Sequence, residues 1–147
     1  MKYIQEEEYR KIIKCMPIFC IDFLISFKKK YLLIKRKEEP LKNSYWVIGG
    51  RLFYKETIAD AARRIQEREI GRHFSNFKEI GFSNYFFSNK MNSRATHTPT
   101  LLFQISVENI FIPKLDEQHN KFIWSENIPE ELIKQTTFFK PSEFYIQ

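Results

Sequence analysis

Tyr45-Trp46-Val47-Ile48-Gly49-Gly50-Arg51, and then the run from Thr57 to Glu69-Ile70-Gly71, form the stretch whose reading decides the fold. Tyr45 to Ile48 is a short apolar run ended by two glycines, which fits a buried strand entering a tight loop. From Thr57 the period changes. Ile58, Ala62, Ile65 and Glu69 fall on one helical stripe. Thr57 and Asp60 make a T-x-x-D capping pair, and Gly71 stops the helix as a left-handed cap would. The segment therefore reads strand, loop, helix.

Outward from it, residues 5–14 carry helix formers. Residues 18–27 alternate, with Phe19, Ile21, Phe23, Ile25 and Phe27 on one face and Ile18, Cys20, Asp22, Leu24 and Ser26 on the other. That period of two marks a strand, and Tyr31 to Arg36 reads as its hairpin partner. Lys28-Lys29-Lys30 between them is a solvated turn. Ile80 to Phe87, Thr100 to Val107 and Phe122-Ile123-Trp124 are further strands, with a helix starting at Ser125 or Pro129. Strands around one well-marked helix, with helices near both ends, predict an α+β fold: an α/β/α sandwich with a mixed sheet flanked by helices.

The chain has 147 residues, enough for one domain spanning 1–147. Fifteen phenylalanines argue for a large aromatic core. The formal charge of +6 suits an anionic partner. No lysine or arginine run exceeds three and no RNA-binding signature occurs, which argues against nucleic acid. Pro17 and Asp22 interrupt the apolar stretch 15–27, so it is neither a signal peptide nor a membrane span, and a cytoplasmic location is expected. Cys15 and Cys20 read as two buried free thiols.

Gly50, Glu56, Arg64, Glu69 and Gly71 stand at the spacing of the Nudix box, so residues 50–71 resemble that box, with Ile65 and Arg68 where two of its glutamates belong. A site with one helix carboxylate can hardly hold several hard cations, and Arg68 would repel them further. Four stretches together resemble the GDP-mannose mannosyl hydrolase branch: Asp22 to Ile25, Leu33-Ile34-Lys35-Arg36, the reduced box, and Asp116-Glu117-Gln118-His119 followed by Trp124. The resemblance implies hydrolysis of GDP-mannose at the sugar C1–O bond, by water and with inversion.

It also implies roles. One Mg²⁺, or Mn²⁺ in its place, would be held by the Gly49 carbonyl, Glu69 and Gln118. Arg36 and Arg51 would neutralise the diphosphate, and His119 would be the general base. Asp22 would hold a sugar hydroxyl or pair with an arginine, although a charge on a strand commonly marks an exposed edge. Thr98 stands near the leaving phosphate, where the branch has tyrosine. Arg64 would orient Glu69 or Glu56, and Glu56 would be structural. His73 and His97 have weaker claims. Ile48 replaces a common proline. Dimerisation is common in the branch. Two other readings stay open: a Nudix pyrophosphohydrolase attacking phosphorus, and a non-catalytic module that binds a nucleotide or RNA.

Overall fold

The computed structural model describes residues 4–37, 41–87, 96–115 and 119–139, with only the backbone for residues 119 and 120. In chain order the elements are α1 (Glu6–Cys15), β1 (Cys20–Phe27), β2 (Lys30–Arg36), β3 (Tyr45–Trp46), β4 (Ile48–Arg51), α2 (Ile58–Ile70), β5 (Phe77–Phe87), β6 (Thr96–Ser106), β7 (His119–Ser125), α3 (Glu130–Gln135) and β8 (Thr136–Phe138). The sheet is mixed: β1 runs parallel to β6 along its length, and the other pairings are antiparallel.

β1 is the central strand, and the alternation of its sequence sorts the core into two. Ile21, Phe23 and Ile25 face one cluster, which Ala61, Ala62, Ile65 and Ile70 of α2 close. Leu24 faces the other, with Val47, Leu102 and Leu132 of α3. Each face of the sheet is thus covered by a helix, the sandwich that the pattern predicts. Phe23 stacks on Phe103 with centroids 5.6 Å apart, and Phe77 meets both rings edge-on. Six of the fifteen phenylalanines belong to this cluster, whereas Phe19, Phe82, Phe86 and Phe139 are exposed.

β1 and β2 pair only at their turn, Ser26 with Tyr31 and Phe27 with Lys30. Beyond it they splay, and the chain from Tyr45 to Arg51 wedges between them. β3 pairs with β2 at Ile34 and Lys35, whereas β4 pairs with β1 from Cys20 to Phe23. Gly49 and Gly50 therefore lie within a strand and not in a loop, which corrects the expectation drawn from them. Glycine is used here for closeness of approach, since neither has a positive φ.

Two further expectations change. Cys15 is exposed at the end of α1 and Cys20 is half-buried, so they are not a buried pair. α1 has no buried residue, so it caps the site end of the molecule loosely and does not build core. The lysine turn comprises Lys28 and Lys29, with Lys30 opening β2. β8 is a further strand beyond those the sequence pattern predicts. Among the described residues no helix is long and apolar enough to cross a membrane.

Candidate active site

The splay between β1 and β2 leaves a cavity of about 310 Å³ over the start of β4 and the end of α2. Asp22 and Gly49 are register partners across β1 and β4. Because Gly49 lacks a side chain, the Asp22 carboxylate fills its place: a Cβ built on Gly49 would lie 1.9 Å from Asp22 Oδ1. The Gly49 N–H donates to Glu69 Oε2 at 3.2 Å. One glycine thus brings together a strand carboxylate and a helix carboxylate.

Both carboxylates are buried. Asp22 is 9% exposed, so the edge-strand alternative for it is overturned: the central strand places it inside. Burial pushes its carboxyl up to about 7, against the Arg36 guanidinium and a hydrogen bond from Trp46, with the Glu69 charge adding to the rise. Burial first, and then Asp22, push the neighbouring Cys20 thiol up to about 12, which leaves it an inert thiol.

Among the described residues three arginines line the same cavity: Arg36 from β2, Arg51 from β4 and Arg68 from α2. Arg68 Nη2 lies 2.6 Å from Glu69 Oε1. The arginine expected only to repel a cation is instead clamped to the one helix carboxylate at the site. Ile65 is 0% exposed within the core beneath Gly50, so it leaves the site altogether. The Arg51 guanidinium carbon lies 5.1 Å from the Tyr9 ring centroid and 5.0 Å from that of Phe53, so its head group rests against two aromatic rings.

Arg64 and Glu56 shape the loop between β4 and α2. Arg64 Nε and Nη2 donate to the two oxygens of Glu56 at 2.6 and 2.7 Å, and Nη2 also reaches the Arg51 carbonyl at 3.0 Å. The Phe53 N–H donates to Glu56 at 3.0 Å, and the Arg64 guanidinium lies 3.8 Å from the Phe53 ring centroid. These bonds hold Glu56 below the usual carboxylate range, chiefly through Arg64. A carboxylate with a depressed folded pKa stabilises above its unfolded value and loses that stabilisation as pH falls through the folded one. Glu56→Gln is accordingly expected to cost about 2 kcal/mol at pH 7 in urea melts, a cost that shrinks progressively as pH falls below the unfolded value of ~4.3 and vanishes only below the depressed folded one. An equal cost at both pH values would rule out the ion pair as the cause.

Of the other expected residues, Gln118 lies outside the described residues, as do Asp116 and Glu117. The backbone of His119 pairs with Arg36, which lines the cavity. Thr98 lines the cavity as well. His97 stacks on Phe86, centroids 4.4 Å apart, and bonds Asn84 through Nε2 at 2.6 Å; it is not among the cavity residues. His73 is exposed beyond α2.

The structure adds residues that sequence reading missed. Trp46 supplies a donor to Asp22. Thr96 joins Thr98 and Thr100 on one face of β6, and the Oγ1 atoms of Thr96 and Thr98 are buried without a hydrogen-bond partner. Three threonines at a period of two could have signalled a hydroxyl-lined wall. Gln66 is fully buried and grips both backbone groups of Phe74, with bonds of 2.8 and 3.3 Å.

As a cation site the donor set is sparse. Among the described residues no group of three His, Cys, Asp or Glu side chains could hold a metal ion. A carboxylate clamp for two ions does not assemble from them. Glu69 and the Gly49 carbonyl would offer oxygen donors to at most one Mg²⁺, an ion that keeps several waters and takes phosphate oxygens from its substrate.

Comparison with known proteins agrees with this architecture. Over 120 residues the chain is 25% identical to the low-salt glycan biosynthesis protein Agl8 of Haloferax volcanii, covering 80% of this chain and 76% of that protein. It superposes on the MutT NUDIX hydrolase of Burkholderia pseudomallei with a TM-score of 0.66 at 20% identity, over 78% of this chain and 88% of that one. A MutT/nudix family protein of Enterococcus faecalis gives a TM-score of 0.58 at 17% identity over 84% of this chain, which spans only 56% of that longer one. Residues 18–142 match the NUDIX domain family, and the chain belongs to it, within the Nudix hydrolase superfamily.

Proposed function

We propose that this chain is a Mg²⁺-dependent hydrolase of GDP-sugars, with GDP-mannose as the first candidate, in which water attacks the anomeric carbon with inversion. One observation carries the reading: Glu69 is the only box-helix carboxylate at the cavity, while Ile65 is buried in core and Arg68 presents a guanidinium. Attack at phosphorus calls for charge neutralisation on both entering and leaving sides. Attack at C1 lets the sugar carry the developing positive charge, so the protein need stabilise only the departing diphosphate. A bound divalent ion would add charge neutralisation at that diphosphate.

The chain's own residues have distinct tasks. Arg36 and Arg51 bind diphosphate oxygens through guanidinium forks. His119 takes a proton from the attacking water as the C1–O bond breaks and its electron pair leaves with GDP. The register of His119 opposite Arg36 supports this assignment. Asp22, next to Gly49 and Arg36, orients a sugar hydroxyl, and the unpartnered hydroxyls of Thr96 and Thr98 accept further polar groups of the substrate. The Haloferax volcanii relative, named for glycan biosynthesis, is consistent with a sugar-linked substrate.

A second reading has its own observation. Both Glu69 oxygens already have protein partners, Gly49 N–H and Arg68, as they would in a module that binds a nucleotide without cleaving it. Turnover of GDP-mannose with Mg²⁺ in ¹⁸O-labelled water separates the readings. GDP and labelled mannose are expected. GMP and mannose phosphate would move the reaction to phosphorus, and no turnover across GDP-, UDP- and ADP-sugars would favour the binding module. His119→Gln should lower kcat by about 100-fold or more with little change in Mg²⁺ affinity. A near wild-type rate would remove His119 as base.

A further inference from the structure

Arg68 is the feature that the proposed reaction leaves unused. Its guanidinium lines the same cavity as Arg36 and Arg51. It bonds the buried Glu69 at 2.6 Å, yet its own side chain stays 43% exposed. A Cβ built on Gly50 would come 3.4 Å from Arg68 Nη2, so the guanidinium lies against β4, in the wall beside Gly49. In the box pattern this position on the helix holds a glutamate that would draw in cations. Here a fixed positive charge stands there instead.

We propose that Arg68 is a cation built into the site, taking the place of a second divalent ion and binding the diphosphate of the substrate directly. The inference rests on the reading that a diphosphate occupies this cavity. Among the described residues that line the cavity, three arginines face Asp22 and Glu69, which leaves one positive charge in excess even with both carboxylates ionised. That balance favours an anion before any metal enters. A guanidinium offers five donors in a rigid fork, so holding a carboxylate with one edge is compatible with serving phosphate oxygens from another. It also carries no tightly held water shell of the kind that Mg²⁺ sheds reluctantly. Glu69 then has two functions: it fixes the Arg68 fork, and it is the carboxylate available to a single ion.

Inorganic pyrophosphate is the probe, because it has neither base nor sugar and its binding does not depend on which bond the enzyme cleaves. Calorimetric titration in EDTA should show metal-free binding to the wild-type protein. Arg68→Ala should weaken it about 10- to 100-fold, and Arg68→Lys by less. Mn²⁺ titration followed by electron paramagnetic resonance should count one ion per chain in the wild type and two in Arg68→Glu. Thermal melts of each variant establish that it is folded. Unchanged metal-free pyrophosphate affinity in folded Arg68→Ala would overturn the proposal, as would two Mn²⁺ ions on the wild type. If Arg68 only positioned Glu69, the alanine variant would lose Mn²⁺ affinity and keep pyrophosphate affinity, which also overturns it. Failure of GDP-mannose turnover alone would count against the proposed reaction and leave these binding results standing.

Discussion

Ile65→Glu is expected to unfold the domain, although it would restore the box glutamate. Ile65 is 0% exposed and sits in the cluster with Ile21, Phe23, Ala61 and Phe103. Its Cδ1 and Cγ1 would both be 3.5 Å from a Cβ on Gly50, so no cavity lies between them for a carboxylate. The substitution loses about 1.5–3 kcal/mol of apolar burial. It also strands an unpaired carboxylate among hydrocarbons, at a further cost of several kcal/mol unless the group protonates. The sum is comparable to the whole stability of an ordinary domain.

The pH dependence identifies the cause. A glutamate whose folded pKa is raised destabilises increasingly as pH climbs from its unfolded value, ~4.3, toward the folded one. Urea melts of Ile65→Glu should therefore show partial recovery near pH 5, whereas Ile65→Ala should lose about 2–5 kcal/mol with little pH dependence. A folded Ile65→Glu protein of near wild-type stability that cleaved GDP-mannose to GMP would show instead that Ile65 is a simple point loss of a metal ligand.

That contrast also explains which parts were legible in the sequence. α2 was readable because its signals are local: the Thr57 side chain accepts from the Asp60 N–H at 3.1 Å, and Gly71 takes φ 66. The two faces of β1 were readable from alternation alone, and they became the two core clusters. What depended on long-range pairing was not. Gly49 and Gly50 look like a turn until β1 is known to run beside them. Asp22 looks like an exposed charge until β6 and β4 flank its strand on both sides. Arg68 and Ile65 stand three residues apart on one helix face and both lie against Gly50, yet the long Arg68 side chain carries its guanidinium out to the cavity while the short Ile65 side chain stays in the core, a difference of reach and charge that the motif spacing does not show. Gln66 illustrates the same limit. At a position where the box has an aliphatic residue, it stays buried because the Phe74 backbone comes back to meet its amide.

The two adjacent glycines of β4 should respond in opposite ways to alanine, and this is the sharpest check on the geometry of the site. In Gly49→Ala the new methyl group would meet Asp22 Oδ1 at 1.9 Å, Asp22 Cγ at 2.8 Å and the Ile21 carbonyl at 2.9 Å. Rotating Asp22 away relieves the first two contacts but forfeits its bond from Trp46 and its place beside Arg36. The third contact is with backbone, so β1 and β4 must also part, and the Gly49 N–H would draw back from Glu69. Overpacking of this kind costs about 1–3 kcal/mol, and turnover should fall at least 100-fold because two carboxylates move together. In Gly50→Ala the nearest atoms are side-chain ends at 3.4 and 3.5 Å, from Arg68 and Ile65, which is ordinary contact. Its stability should stay within about 0.5 kcal/mol of wild type. Chemical denaturation and steady-state kinetics on the pair decide the matter. If Gly49→Ala were as well tolerated as Gly50→Ala, then Asp22 would not stand against β4 as described, and its role beside the substrate would fall with that placement.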